Sequence, residues 1–142
     1  MLKPIVLAFL GSVFPVILFN IDRKKIWLSG IGGAAGELVA IIALNSSSST
    51  VVSSFAGAFA VGLYSEIMAR IKKTPAFEFL IPGIFPLLPG VAGYNTLIYI
   101  LQKNFSQAIA KGFETIAIGG SMAFGIMLSS AIFRFFSKIG ER

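Results

Sequence analysis

The chain has 142 residues, of which 56% are hydrophobic and only 13% are charged. A soluble domain of this size needs more polar surface, and its apolar residues do not run in unbroken blocks. The composition therefore indicates an integral membrane protein. The net charge of +6 could suggest nucleic-acid binding. However, the basic residues lie at the ends of apolar blocks, where the positive-inside rule explains them, and we expect no nucleic-acid partner.

The residue types that are missing also exclude several kinds of chemistry. The sequence contains neither Cys nor His. This excludes disulfides, thiol chemistry, and zinc or haem ligation by those side chains. The sequence shows no nucleophile–base pair, metal-binding cluster or phosphate-binding loop, so we expect neither an enzyme nor a cofactor.

Five apolar blocks predict an all-α integral membrane protein with about five transmembrane helices, forming a single membrane domain over residues 1–142. A helix needs about 20 residues to cross the hydrocarbon core, and the second to fifth blocks meet this length. The first block is short, and we interpret it as a retained span rather than a signal peptide. The blocks are Ile5–Phe19, Ile26–Leu44, Val51–Ala69, Phe77–Leu101 and Phe113–Phe136.

The basic residues predict the orientation of these spans. An N-terminus outside and a C-terminus inside puts nine Lys and Arg residues in the cytoplasm and three outside. Such a split is typical of a multi-pass inner (plasma) membrane protein. The short connection Asn45–Thr50 would then be an extracytoplasmic turn. A re-entrant proline segment would change the split to eight and four, and this alternative remains open.

The most informative segment is Leu80–Gly93, which reads LIPGIFPLLPGVAG inside the fourth block. Each proline removes a helical N–H and clashes with a carbonyl, and lipid offers no water to the freed groups. The fourth helix should therefore be broken, as are helices that bind solute in transporters. The alternative is that the prolines only bend the helix around its neighbours. The residues predicted to bind substrate or to gate are Pro82, Gly83, Pro86, Pro89, Gly90, Tyr94 and Asn95.

The second half of the broken helix should begin near Val91. Its first N–H groups would point at the gap and could bind a carboxylate, with the Asn95 amide beside it. We further expect Gly83 and Gly90 to adopt torsions that other residues resist.

Glu37 is the candidate for proton coupling, because it lies past the middle of the second block. A charged residue there costs about 2.5–3.5 kcal/mol on insertion scales, so the side chain should face the protein interior. It could carry a proton or contact a cationic amine. The alternative is a helix-packing hydrogen bond, with Gly32 and Gly36 allowing close approach of a neighbouring helix.

The remaining acidic residues and the small-residue stripes have simpler interpretations. Glu66 and Arg70 are spaced for a helical ion pair, and Glu114 is expected at the start of its helix. Small residues recur at helical spacing in the second, third and fifth blocks, and they predict contact faces for a partner. The stripes in the third and fifth blocks are Ser54, Ala58, Gly62 and Ser121, Gly125, Ser129.

The run Ile81–Gly90, followed by Ala92-Gly93-Tyr94-Asn95, resembles the threonine/serine exporter family. More specifically, the chain resembles the small membrane subunit of the two-gene members of that family. The resemblance implies proton-driven export of threonine, serine or a small carboxylic acid across the inner membrane. It also implies a larger partner subunit in a homo- or hetero-oligomer, so we expect no export by this chain alone. The competing hypothesis is a non-transporting structural or assembly subunit.

Overall fold

The computed structural model describes residues 2–140 of the chain, and the side chains of residues 2–137. The described residues form helices and no strands, which confirms the predicted all-α class. Short 3₁₀ turns at Arg23–Lys25 and Phe85–Leu87 precede or interrupt the helices. The six α-helices are α1 (Leu2–Leu18), α2 (Ile26–Ser47), α3 (Thr50–Lys72), α4 (Phe77–Ile84), α5 (Gly90–Leu101) and α6 (Phe105–Gly140).

Three stretches of helix are long and apolar enough to cross a membrane, namely Arg23–Ser47, Thr50–Lys72 and Phe105–Ser137. Helices α4 and α5 together satisfy the same test as a fourth, bent span. Helix α1 has 17 residues, which at 1.5 Å per residue gives about 25 Å, less than the ~30 Å of a typical hydrocarbon core. The structure therefore supports three or four spans, and the fifth stays a prediction.

The connection between α2 and α3 is shorter than the predicted turn. Helix α2 continues to Ser47, and the hydroxyls of Ser46 and Ser47 donate to carbonyls one turn back, at 3.0 and 2.7 Å. Ser48 takes a left-handed conformation with a φ of 53°, and Ser49 caps α3 through its hydroxyl. The two helices are consequently packed as a tight antiparallel pair.

Glycines bring α1, α2 and α3 into close contact. A Cβ placed on Gly33 would lie 1.8 Å from Ser12 Oγ of α1. A Cβ on Gly36 would lie 2.3 Å from Val61 Cγ2 of α3 and 3.3 Å from the Gly57 carbonyl oxygen. A Cβ on Gly32 would lie 2.8 Å from Tyr64 Cδ1, also of α3. The close approach predicted at Gly32 and Gly36 is therefore confirmed, and it serves packing within the chain.

Helix α6 packs along α3 in the same way. A Cβ on Gly62 would lie 2.0 Å from Ser129 Oγ, and one on Gly125 would lie 2.7 Å from the Phe55 carbonyl oxygen. Ala58 is fully buried beside them. The small-residue stripes of α3 and α6 thus pack against each other. The prediction that they form partner contact faces is wrong, because this chain already covers them.

Basic residues collect at one end of the bundle, where α2 and α4 begin and α3 ends. Lys25 pairs there with Glu78, in the first turn of α4. The predicted Glu66–Arg70 ion pair is absent from the described side chains. Instead, Glu66 accepts a hydrogen bond from Ser130 at 2.9 Å, and Arg70 donates to Ser137. The neighbouring α6 offers these two groups hydroxyl partners that the sequence spacing could not indicate.

Candidate functional site

The fourth apolar block is broken between Ile84 and Gly90. Phe85–Leu87 form a 3₁₀ turn, and Leu88 is extended, with φ −59° and ψ 140°. The extended conformation follows from the next residue, Pro89, since a residue before proline avoids the α region. Helices α4 and α5 meet at 51°. The predicted break is confirmed, and it coincides with the second and third prolines.

The first proline–glycine pair lies outside the break. Pro82 is inside α4, two residues before its end, and fully buried. The helix continues through it to Ile84, because a single proline removes only one backbone hydrogen bond. A Cβ on Gly83 would lie 2.8 Å from Val61 Cγ1, so this glycine permits close packing. No glycine among the described residues has a positive φ. The expectation that Gly83 and Gly90 adopt special torsions is therefore wrong.

The break borders a cavity of about 300 Å³ that also contains Glu37, and we call it the Glu37 cavity. Pro86 contributes its ring from the 3₁₀ turn, and α1 contributes apolar residues including Leu7 and Gly11. The ion pairs among the described side chains are Lys25–Glu78 and Lys111–Glu114, so Glu37 has no cationic partner within residues 2–137. A lone carboxyl group beside the break is thus available for a proton or for a ligand.

A second cavity, of about 270 Å³, lies on the other side of the break, and we call it the Asn95 cavity. Pro89 and Gly90 form its edge at the start of α5, where the first N–H groups of a helix lack helical partners. Helices α3, α5 and α6 supply its polar side chains. These are Ser54, Asn95, Lys111 and Glu114, together with Thr50.

Lys111 and Glu114 are site residues that the sequence reasoning missed. The predicted fifth span begins at Phe113, which placed Glu114 at a helix start. In the structure α6 begins at Phe105, so Lys111 and Glu114 share one helical face. Lys111 Nζ donates to Glu114 Oε2 at 2.6 Å, and both side chains remain more than a third exposed. Their i, i+3 spacing was the available signal.

Leu87 and its neighbour Pro86 line different cavities. Leu87 lines the Asn95 cavity, while Pro86 lines the Glu37 cavity. The Leu87 Cδ1 methyl packs over the contact between α2 and α3, 3.2 Å from a Cβ built on Gly57. Tyr94 is 63% exposed and lines neither cavity. Five of the predicted residues, namely Glu37, Pro86, Pro89, Gly90 and Asn95, are therefore brought to the break, whereas Pro82, Gly83 and Tyr94 lie elsewhere.

The fold and this site define the class of protein. Long apolar helices, a broken span and cavities with polar or charged side chains on both sides of the break are features of membrane transporters. Within residues 2–137, no group of three or more acidic side chains is placed to hold a metal ion.

The chain belongs to the threonine/serine exporter family. The family model described as "Threonine/Serine exporter, ThrE" matches residues 4–132, which is nearly the whole chain. This confirms the resemblance based on the proline run, and it assigns the protein a transporter-type role in a membrane.

Two curated proteins are similar to this chain. An uncharacterized protein of Haemophilus influenzae is 23% identical over 94% of the chain, which corresponds to 48% of that protein's length. A probable threonine/serine exporter of Mycobacterium tuberculosis is 22% identical over 97% of the chain and 28% of its own length. The chain thus spans at most about half of either relative. No solved structure matches the chain at a significant level.

Proposed function

We propose that this chain is the small membrane subunit of a proton-coupled exporter for a small hydrophilic metabolite, threonine, serine or a small carboxylic acid. The observation that carries the proposal is the pair of cavities flanking the break in the fourth span. One contains the unpaired carboxyl group of Glu37, and the other contains the start of α5 with Asn95. The name of the Mycobacterium tuberculosis relative supports the choice of substrate.

The two cavities have different roles in coupled transport. The Asn95 cavity holds the solute, whose carboxylate is favoured by the positive end of the α5 dipole. Glu37 takes up or releases a proton in the Glu37 cavity. Because Pro86 and Leu87 belong to the same 3₁₀ turn, a movement of this turn changes the lining of both cavities.

A larger partner subunit completes the transport path. The six described helices make only three or four spans, which are too few to enclose a solute and to form gates on both sides of it. The relatives contain about as much sequence outside the matched region as within it, or more. We therefore place the missing helices on a partner chain. This chain itself is proposed to lie in the inner membrane with its N-terminus outside and its C-terminus in the cytoplasm.

Uptake of radiolabelled L-threonine and succinate into inverted membrane vesicles tests this proposal. Vesicles that contain the chain and its native partner should accumulate one of these solutes when the lumen is acidic, and a protonophore should abolish the accumulation. Vesicles from cells that lack the partner should show none. Gradient-driven transport by the purified chain alone in liposomes would contradict the partner subunit. Equal uptake by vesicles lacking this chain would mean that transport does not need it and would overturn the proposal.

Glu37→Gln tests the coupling step, because glutamine preserves the shape of the side chain but cannot exchange a proton. We expect solute exchange to continue and its stimulation by the pH gradient to disappear. The matched control is Glu66→Gln, since Glu66 is also half-buried but is hydrogen-bonded to Ser130 and lines neither cavity. Full gradient stimulation in Glu37→Gln would assign the proton site to another residue, most simply on the partner.

A further inference from the structure

Lys111 and Glu114 point a cation and an anion at the same cavity, and the family assignment gives neither residue a role. Lys111 Nζ and Glu114 Oε2 are 2.6 Å apart, and both residues line the Asn95 cavity next to Gly90 and Asn95. The side chains of this pair are 36% and 37% exposed. A pair this accessible contributes little to folding, so it can open without unfolding the chain.

A second observation points to a ligand in the same place. Ser54 is 8% exposed and lines the cavity from α3. Its neighbour Ser53 donates to the Ala40 carbonyl at 2.7 Å, whereas no hydrogen bond within residues 2–137 involves the Ser54 hydroxyl. Within residues 2–137, the buried hydroxyl groups without a hydrogen-bond partner are those of Ser12, Ser29 and Thr74. The Ser54 hydroxyl is not one of them, so it reaches the cavity and is free to hydrogen-bond to a bound solute.

We propose that Lys111 and Glu114 are the specificity-determining residues of the solute site and that they recognise a zwitterion. Lys111 binds the carboxylate of the solute together with the first N–H groups of α5, and Glu114 binds its ammonium group. Ser54 and Asn95 hydrogen-bond to the neutral polar part. This inference rests on the proposed export function, and it distinguishes an amino acid from a small carboxylic acid as the solute.

Charge balance explains the selectivity. A zwitterion replaces one ion pair by two, so each charge in the cavity keeps a partner of opposite sign. A monocarboxylate leaves Glu114 without a partner, and a dicarboxylate adds repulsion between its second carboxylate and Glu114. Like-charge juxtaposition of this kind is a recognised means of rejecting the wrong ligand. The cavity volume of about 270 Å³ is large enough for a small amino acid.

The test uses inverted vesicles that contain the chain with its native partner, and three probes that differ in charge. The probes are radiolabelled L-threonine and, as competitors, 3-hydroxybutyrate, which lacks the ammonium group, and threonine amide, which lacks the carboxylate. In wild type, unlabelled threonine should compete at least tenfold better than either analogue. In Glu114→Gln, threonine and 3-hydroxybutyrate should compete equally. In Lys111→Met, threonine and threonine amide should compete equally.

Lys103→Met is the control variant, because Lys103 is exposed and lies outside the cavity. Expression level and thermal melting in detergent verify that each variant folds. A Glu114→Gln protein that still prefers threonine tenfold would overturn the assignment of Glu114, and unchanged selectivity in both variants would overturn the site while leaving the exporter intact. No uptake of threonine or succinate by wild-type vesicles would instead overturn the proposed function, and this inference with it.

Discussion

The Leu87 side chain lies in a notch formed by Gly57 of α3 and Gly36 of α2. The Leu87 Cδ1 methyl would be 3.2 Å from a Cβ on Gly57 and 3.4 Å from one on Gly36. The 3₁₀ turn that interrupts the fourth span therefore packs on the contact between Gly36 of α2 and Gly57 of α3. The break is packed against protein, because Gly36 and Gly57 leave room for the Leu87 side chain. Backbone without helical hydrogen bonds is tolerated at membrane depth when protein covers it in this way.

Enlarging Gly36 should destabilise the fold. A valine Cβ there would lie 2.3 Å from Val61 Cγ2 and 3.3 Å from the Gly57 carbonyl oxygen, and the backbone cannot move without separating α2 from α3. We expect Gly36→Val to lower the free energy of unfolding by about 1–3 kcal/mol, measured by unfolding in detergent.

Gly119→Ala is the matched control for this experiment. Nothing lies within 4 Å of a Cβ at Gly119, and alanine favours the helix by up to about 1 kcal/mol. It should be neutral or stabilising. Equal destabilisation by both variants would mean that the loss of a helical glycine, rather than the contact with Val61, lowers the free energy of unfolding.

The second and third prolines should maintain the bend. Replacing Pro86 and Pro89 together by alanine restores two N–H donors and relieves the restriction on Leu88. We expect the double variant to straighten the α4–α5 segment and to slow transport. A pair of spin labels on the exposed positions Phe77 and Leu101 reports the change as a longer distance.

Pro82→Ala serves as the comparison, because Pro82 already lies inside α4. It should leave the distance between the labels unchanged. If the double variant also keeps the distance of the parent protein, the bend is held by the packing of Leu87 against Gly36 and Gly57 rather than by the prolines.

The ion pair between Lys25 and Glu78 should stabilise the basic end of the bundle. Its side chains are only 12% and 20% exposed, so removal of one partner leaves a poorly solvated charge. A double-mutant cycle with Lys25→Met and Glu78→Gln should give a coupling free energy of about 1–3 kcal/mol. Lys24→Met should have little effect, since Lys24 is exposed. A coupling free energy near zero would show that the pair is as weak as a surface pair.

The two ends of α3 should be accessible from opposite sides of the membrane. The chain has no Cys, so single-cysteine variants give no background labelling. In intact cells, a membrane-impermeant maleimide should label a cysteine at Ser48 and should label one at Lys73 only after the membrane is permeabilised. The reverse pattern would invert the predicted orientation, and equal labelling would mean that α3 does not cross the membrane.

The sequence alone identified the class of protein and the position of its most unusual element. Apolar blocks and prolines are local features, because each residue contributes to hydropathy or interrupts a helix wherever it stands. For that reason the all-α membrane class, the break near Pro86 and Pro89, and the family could be recognised without coordinates. The terminal residues 141–142, which contribute to the predicted orientation, lie outside the described part of the chain.

Only the tertiary structure decided which residues meet. Glu37 and Pro86 line one cavity because α1, α2 and the 3₁₀ turn converge there. Lys111 and Glu114 reach the start of α5 because α6 begins earlier than its apolar block. The small-residue stripes proved to be internal contacts, since a stripe records that close approach is possible without naming the helix that approaches. Contacts between helices depend on the relative rotation and depth of distant segments, and neither quantity is encoded in the local pattern of one segment.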